Sequence, residues 1–119
     1  MQNNLISFLL KIIEQYKDSI SIGIWTSEEK EALACMRYIV KFSSFGELND
    51  KKFSVPSKSI KFKNGSKIEI LNTSMKNIDK GRRYDISIYS IDIDMDYVNR
   101  NIRPTSILVS PCCMCLEDI

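Results

Sequence analysis

Asp92, Asp94 and Asp96 alternate in the run Asp92-Ile93-Asp94-Met95-Asp96. Alternate residues of an extended strand project to one side, so carboxylates at this spacing could jointly hold Mg2+ or Ca2+ through oxygen ligands. With Asp85 or Glu69 beside them, they could serve a metal-dependent nuclease. The competing reading is an acidic, solvated strand end. A second group is Cys35 with Cys112, Cys113 and Cys115. Cys112 and Cys115 have the spacing of a zinc knuckle, but a structural zinc site needs a second pair and the sequence offers only Cys35. Soft apolar packing is the alternative for these thiols. The third group is basic: Lys61, Lys63, Lys67 and Lys76, then Lys80, Arg82 and Arg83. Of these, Lys61, Lys63, Lys67, Arg82 and Arg83 are the candidate nucleic-acid contacts, which would grip phosphates without choosing a sequence. Lysines on an exposed hairpin would also guard it against edge-to-edge association.

Composition narrows the chemistry. The chain has no histidine, which excludes imidazole acid–base catalysis, Cys–His dyads and histidine metal ligands. Its net charge of +2 is too small to imply nucleic-acid binding by itself, so local clusters must carry that case. With 119 residues, 44% of them hydrophobic and 27% charged, the chain reads as one folded soluble domain. The longest apolar run near the amino terminus, Leu5 to Leu10, is followed at once by Lys11, Glu14 and Lys17. That is too short and too charged for a membrane span or a signal peptide. A cytoplasmic location with reduced thiols is the expectation, with no cofactor and no bound metal.

The elements that would position these residues follow from periodicity. Asn4 to Tyr16 carries apolar residues at Leu5, Phe8, Leu9, Ile12 and Ile13, the spacing of a helix with one oily face. Ser19 to Trp25 alternates as a strand. Thr26 and Glu29 form a capping box, which predicts a helix whose core stripe is Leu33, Met36, Ile39 and Val40, with Cys35 beside it. Glu47 to Lys58 reads as a polar loop. Ser59 to Leu71 is a hairpin about Asn64-Gly65. Keeping Ile60, Phe62, Ile68 and Ile70 on one face demands an odd loop, met by Lys63-Asn64-Gly65 with Gly65 at positive φ. Asn72 to Arg83 is a loop or a short turn of helix, Ile86 to Ile91 a strand, Met95 to Arg100 a short helix or turn, and Thr105 to Ser110 a buried strand ended by Pro111. Helices alternating with apolar strands predict an α/β fold, with a mainly parallel sheet flanked by helices and an inserted β-hairpin.

In this order the elements resemble the ATPase domain of the viral and phage terminase large subunit, a P-loop NTPase. The motifs are the hairpin on Asn64-Gly65-Ser66, the loop Lys80-Gly81-Arg82-Arg83, and the apolar strand running into Asp92. Thr26-Ser27-Glu28-Glu29 resembles the family's T-x-x-Q/E turn, and Ile107-Leu108-Val109-Ser110-Pro111 the strand carrying its coupling motif. The first helix stands where the family opens one with the Walker A Lys-Ser/Thr. The resemblance implies a partial P-loop NTPase-like core over residues 1–119, a single truncated terminase ATPase-like domain. It places Asp92 at the Walker B position, with Asp94 as a displaced substitute.

The departures bear on chemistry. Phosphate binding in such enzymes needs a glycine-rich loop and a lysine, and no G-x-x-x-x-G-K-[ST] occurs in the sequence. The residue after Asp92, where an ATPase needs a second acid, is Ile93. The expectation is a catalytically inactive ATPase relative, encoded by a phage or mobile element and acting in the cytoplasm of a bacterial host. It would bind a protein partner and no membrane. Two alternatives stand beside it: a nucleic-acid-binding accessory module linked to DNA packaging, and a metal-dependent nuclease using Asp92, Asp94 and Asp96.

Overall fold

A run of β-branched residues forms the first strand, β1 (Ser21–Thr26), and everything else is arranged around it. The structure is a computed structural model that describes residues 7–9, 11–12, 19–42, 48–52, 57–62, 65–76, 78–106 and 113–115. After β1 come helix α1 (Glu29–Phe42), strands β2 (Leu48–Lys52), β3 (Ser57–Phe62), β4 (Lys67–Asn72) and β5 (Ile86–Tyr89), the short helix α2 (Met95–Tyr97) and β6 (Cys113–Cys115). The strands form one mixed sheet in the order β2-β3-β4-β1-β5-β6. β1 pairs in parallel with β4 on one side and β5 on the other, and β5 with β6. Only β3 runs against the rest, antiparallel to β2 and β4. The architecture is α/β.

Period-two alternation divides the core between the two sheet faces. Ile22, Ile24, Ile60, Phe62, Ile68, Ile70 and Ile88 point to the face covered by α1, where Ala32, Cys35, Met36 and Ile39 meet them. Helical residues 7–9 and 11–12 add Leu9 to this cluster, with Phe8 and Ile12 packed against it. The remainder of the amino-terminal helix expected over Asn4 to Tyr16 lies outside the described residues. On the opposite face Trp25, Leu71, Ile78, Tyr84 and Tyr89 are roofed by Ile93, Val98 and Ile102. Trp25 is fully buried and belongs to the core.

The hairpin has the predicted register. Ile60 faces Ile68, Phe62 N–H donates to Ser66 O at 2.9 Å, and Gly65 N–H donates to Phe62 O at 3.0 Å. Gly65 sits at φ 91°, and a Cβ there would lie 3.2 Å from the Cβ of Ser19. Gly65→Val is therefore expected to destabilise the fold by about 1–3 kcal/mol. An unchanged denaturant midpoint for that variant would refute the turn geometry.

Several boundaries differ from the sequence reading. Leu48–Lys52, expected within a polar loop, is strand β2, because the exposed ladder of β3 supplies it with a partner. Thr26 does not cap α1. It ends β1, and its hydroxyl donates to Leu71 O at 2.8 Å. Along α1 the buried stripe runs through Ala32, Cys35, Met36 and Ile39, with Leu33 and Val40 half-buried. The strand expected to reach Ile91 stops at Tyr89, since the chain turns and Ile93 N–H bonds back to Ser90 O at 3.1 Å. The segment expected as a short helix or turn is the helix Met95–Tyr97, continued over Val98–Ile102 as a wider π-helical turn. Thr105 ends a tight turn and Ser106 makes a single parallel bridge to Tyr84. Residues 107–110 of the expected last strand, and the coupling-motif resemblance that rests on them, lie outside the described residues.

Candidate functional site

Three buried polar residues mark the carboxyl ends of the central parallel strands: Thr26 on β1, Asn72 on β4 and Ser90 just past β5. In open α/β sheets this is the edge at which ligands bind. Its centre is Glu31, in the first turn of α1. One oxygen accepts Ser27 N–H at 2.9 Å and the Ser27 hydroxyl at 3.3 Å, while the other accepts the Ser90 hydroxyl at 3.0 Å. The carboxylate thus ties the turn after β1 to the end of β5. Asn72 Oδ1 accepts Ser74 N–H at 3.0 Å and the Ser74 hydroxyl at 2.6 Å. Thr73 donates both its N–H, at 2.9 Å, and its hydroxyl, at 3.0 Å, to Thr26 O. The polar groups of this edge are consumed by one another. Burial, reinforced by Glu31, pushes the Cys35 thiol up to about 12, which keeps it protonated.

The aspartates of the candidate metal site do not converge. Asp92, Asp94 and Asp96 are all exposed. Asp92 lies in the turn beyond β5 rather than at its end, and the strand-end position belongs to Ser90. Because the strand does not continue, Asp94 is not held on the same side as Asp92. Its carboxylate instead accepts Asp96 N–H at 3.2 Å, capping α2. Asp96 pairs with Arg100 at 3.2 Å. No group of three or more acidic or thiol side chains among the described residues is placed to hold a metal ion. The cysteine group is divided by the sheet. Cys35 lies in the core under α1, whereas Cys113 and Cys115 pack against the opposite cluster. Cys112 is outside the described residues.

The basic residues separate into two environments. Arg82 is a structural residue: its Nε donates to Ile78 O at 2.6 Å, and its guanidinium reaches Glu69 at 3.3 Å. Glu69 also accepts the Tyr84 hydroxyl at 2.9 Å. Burial, with Glu69 adding to it, raises the Tyr84 phenol well above its ordinary range, so the hydroxyl remains a donor. Arg83 is exposed. Lys61 and Lys67 face one another across the β3–β4 ladder, as their shared solvent side predicts. Lys63 lies outside the described residues. The two lysines border an open groove of about 380 Å³, whose far wall is Ser19 to Ser21 and Asp85.

Sequence reasoning missed Glu31, Ser90 and Ser21, and it considered Asp85 only as a neighbour of the aspartate cluster, whereas its carboxylate accepts Ser21 N–H. The available signal was modest: Thr26, Asn72 and Ser90 each close an apolar strand with a small polar residue. Comparison with protein-family models, with curated proteins and with solved structures returned no match.

Proposed function

We propose that the chain is a non-catalytic interaction protein of phage or mobile-element origin, built on a degenerate terminase-like ATPase scaffold. It binds a protein partner across the carboxyl edge of its parallel strands. One observation carries this reading. The exposed large apolar side chains among the described residues, Met75, Ile91 and Met95, all follow the carboxyl ends of β4 and β5, and Ile91 is 65% exposed. An apolar group beside exposed Asp92, Asp94 and Asp96 has the make-up of an interface with a polar rim. The parallel centre of the sheet and its joined hairpin support the family likeness. Ile93 after Asp92, where such an ATPase needs a second acid, supports the absence of turnover.

The test combines in-cell cross-linking with an ATPase assay. Ile91→Asp combined with Met95→Asp is expected to abolish cross-linking to a discrete partner and leave the unfolding midpoint nearly unchanged, because both side chains are on the surface. No ATP turnover is expected from the wild type. Turnover abolished by Asp92→Ala would overturn the non-catalytic reading, and cross-linking indifferent to the double variant would overturn the docking edge. The nucleic-acid alternative retains one favourable observation, the paired Lys61 and Lys67 at the opposite edge.

A further inference from the structure

We infer that the groove between the hairpin and the amino ends of β1 and β5 is a binding site for a phosphate group. It is independent of the protein-docking reading, because it lies at the opposite end of the parallel strands.

A like-charge pair borders this groove. Lys61 and Lys67 are directly opposite in the β3–β4 register, which places their Cβ atoms about 5 Å apart, an arrangement that opposes folding for equal charges. Protection of a sheet edge does not account for it. β3 is covered by β2 and β4 by β1, so neither strand is an edge. The ion pairs among the described side chains neutralise the pair only in part. Lys67 has Glu69 at 3.5 Å, but that carboxylate is shared with the Arg82 guanidinium at 3.3 Å and the Tyr84 hydroxyl. Lys61 is exposed, and its ammonium has no hydrogen bond or ion pair among the described residues. Asp50 stands opposite Lys61 in the β2–β3 register, so with Glu69 and Asp85 the acids here equal the cations in number, and it is the two lysines side by side at the rim of a concavity, not a net charge, that favour an anion.

The concavity is framed by fixed backbone. Ile20 N–H donates to the Ser66 hydroxyl at 3.1 Å, Lys67 N–H to Ile20 O at 2.9 Å, and Asp85 N–H to Ser21 O at 2.9 Å. These bonds lock the start of β1 to both neighbours, so the walls are set before a ligand arrives. Gly65 keeps the hairpin end close to Ser19, where a side chain would press on the wall. Asp85 forms the opposite side. Its Oδ2 accepts Ser21 N–H at 2.8 Å and the Ser21 hydroxyl at 3.4 Å, and it forms no ion pair with either lysine. An anion seated on the lysines is held by both ammonium groups and repelled by Asp85. Phosphate suits this geometry, because it offers several oxygens to two point-charge donors at once. At about 380 Å³ the groove also has room for the group esterified to it. That phosphate comes either as a free or monoester phosphate or as the backbone of a nucleic-acid strand, which share this chemistry.

Amide chemical-shift mapping on 15N-labelled protein at low salt tests the assignment, with inorganic phosphate and a thymidine decamer as separate probes. Saturable shifts are expected at Ser19 to Ser21 and Gly65 to Lys67. Saturation by inorganic phosphate assigns a free or monoester ligand; saturation by the decamer alone assigns a strand. Lys61→Gln with Lys67→Gln should weaken binding by roughly 10-fold or more. The same variant should unfold at the same or a higher denaturant concentration, because it removes a repulsion, so loss of binding is not confused with loss of fold. Asp85→Asn should tighten binding, since asparagine still accepts from Ser21 N–H without repelling the anion. Absence of shifts at these amides with both probes would overturn the assignment. So would shifts untouched by the lysine pair, or weakened rather than strengthened by Asp85→Asn.

Discussion

Gly23→Ala is expected to destabilise the protein by about 2 kcal/mol, and Gly23→Val by more. The sign is the informative part. In a strand interior, alanine ordinarily improves on glycine by roughly 0.5–1 kcal/mol. At Gly23 a Cβ would fall 2.7–2.9 Å from three carbons of the Tyr84 ring. That ring cannot retreat: its hydroxyl is held by Glu69 at 2.9 Å, and its edge meets Trp25 with centroids 6.0 Å apart at 86°. The missing side chain of Gly23 is the space that Tyr84 fills. A urea-unfolding cycle with Tyr84→Leu should show strong coupling between the two positions. A stabilised Gly23→Ala variant would remove this account of the face.

The second large effect is expected at Lys58, which is 1% exposed on β3 and forms an ion pair with Glu29 of α1. Removing one member of a buried pair leaves the other charge uncompensated. The two members are not equivalent, because the Lys58 side chain is 1% exposed and the Glu29 side chain 39%. Glu29→Ala should therefore cost about 3 kcal/mol, by stranding the Lys58 ammonium. Lys58→Met should cost less than Glu29→Ala, and the double variant should be no worse than Lys58→Met alone. Glu29 Oε2 is buried without a hydrogen-bond partner, a further sign that the pair is not an optimised source of stability. Equal losses for the two single variants in chemical denaturation would refute this asymmetry.

The hairpin was legible because its determinants are local. Alternation in Ser59 to Leu71, with Asn64-Gly65 between the arms, gives loop parity, register and the positive φ of Gly65 from adjacent residues alone. β2 was not legible, since Leu48-Asn49-Asp50-Lys51-Lys52 has the composition of a loop and becomes a strand only through its partner β3. The burial of Lys58 was hidden for the same reason, as its neutralising Glu29 lies on a different element. Asp92 to Asp96 were misplaced because Ile91 continues the alternation of β5, although the backbone has already turned at Ser90. At the candidate sites the sequence indicated which lysines share a face. It could not indicate the opposite wall, since Asp85 meets Ser21 across 64 positions.

The central position of β1 also governs the order of assembly. Its two neighbours are drawn from Lys67–Asn72 and Ile86–Tyr89, so the earliest described strand is completed by later segments. Loop closure over such separations precedes any reward from pairing, which slows folding relative to a chain of local contacts. During synthesis Ile22 and Ile24 must wait, unsheathed, until residues 86–89 have emerged. Both edges of this short segment are unpaired until residues 67–72 emerge, and one edge until residues 86–89 do, which leaves it prone to capture by another chain. The vulnerability of this fold is therefore greatest while it is being made, and it ends when β5 docks.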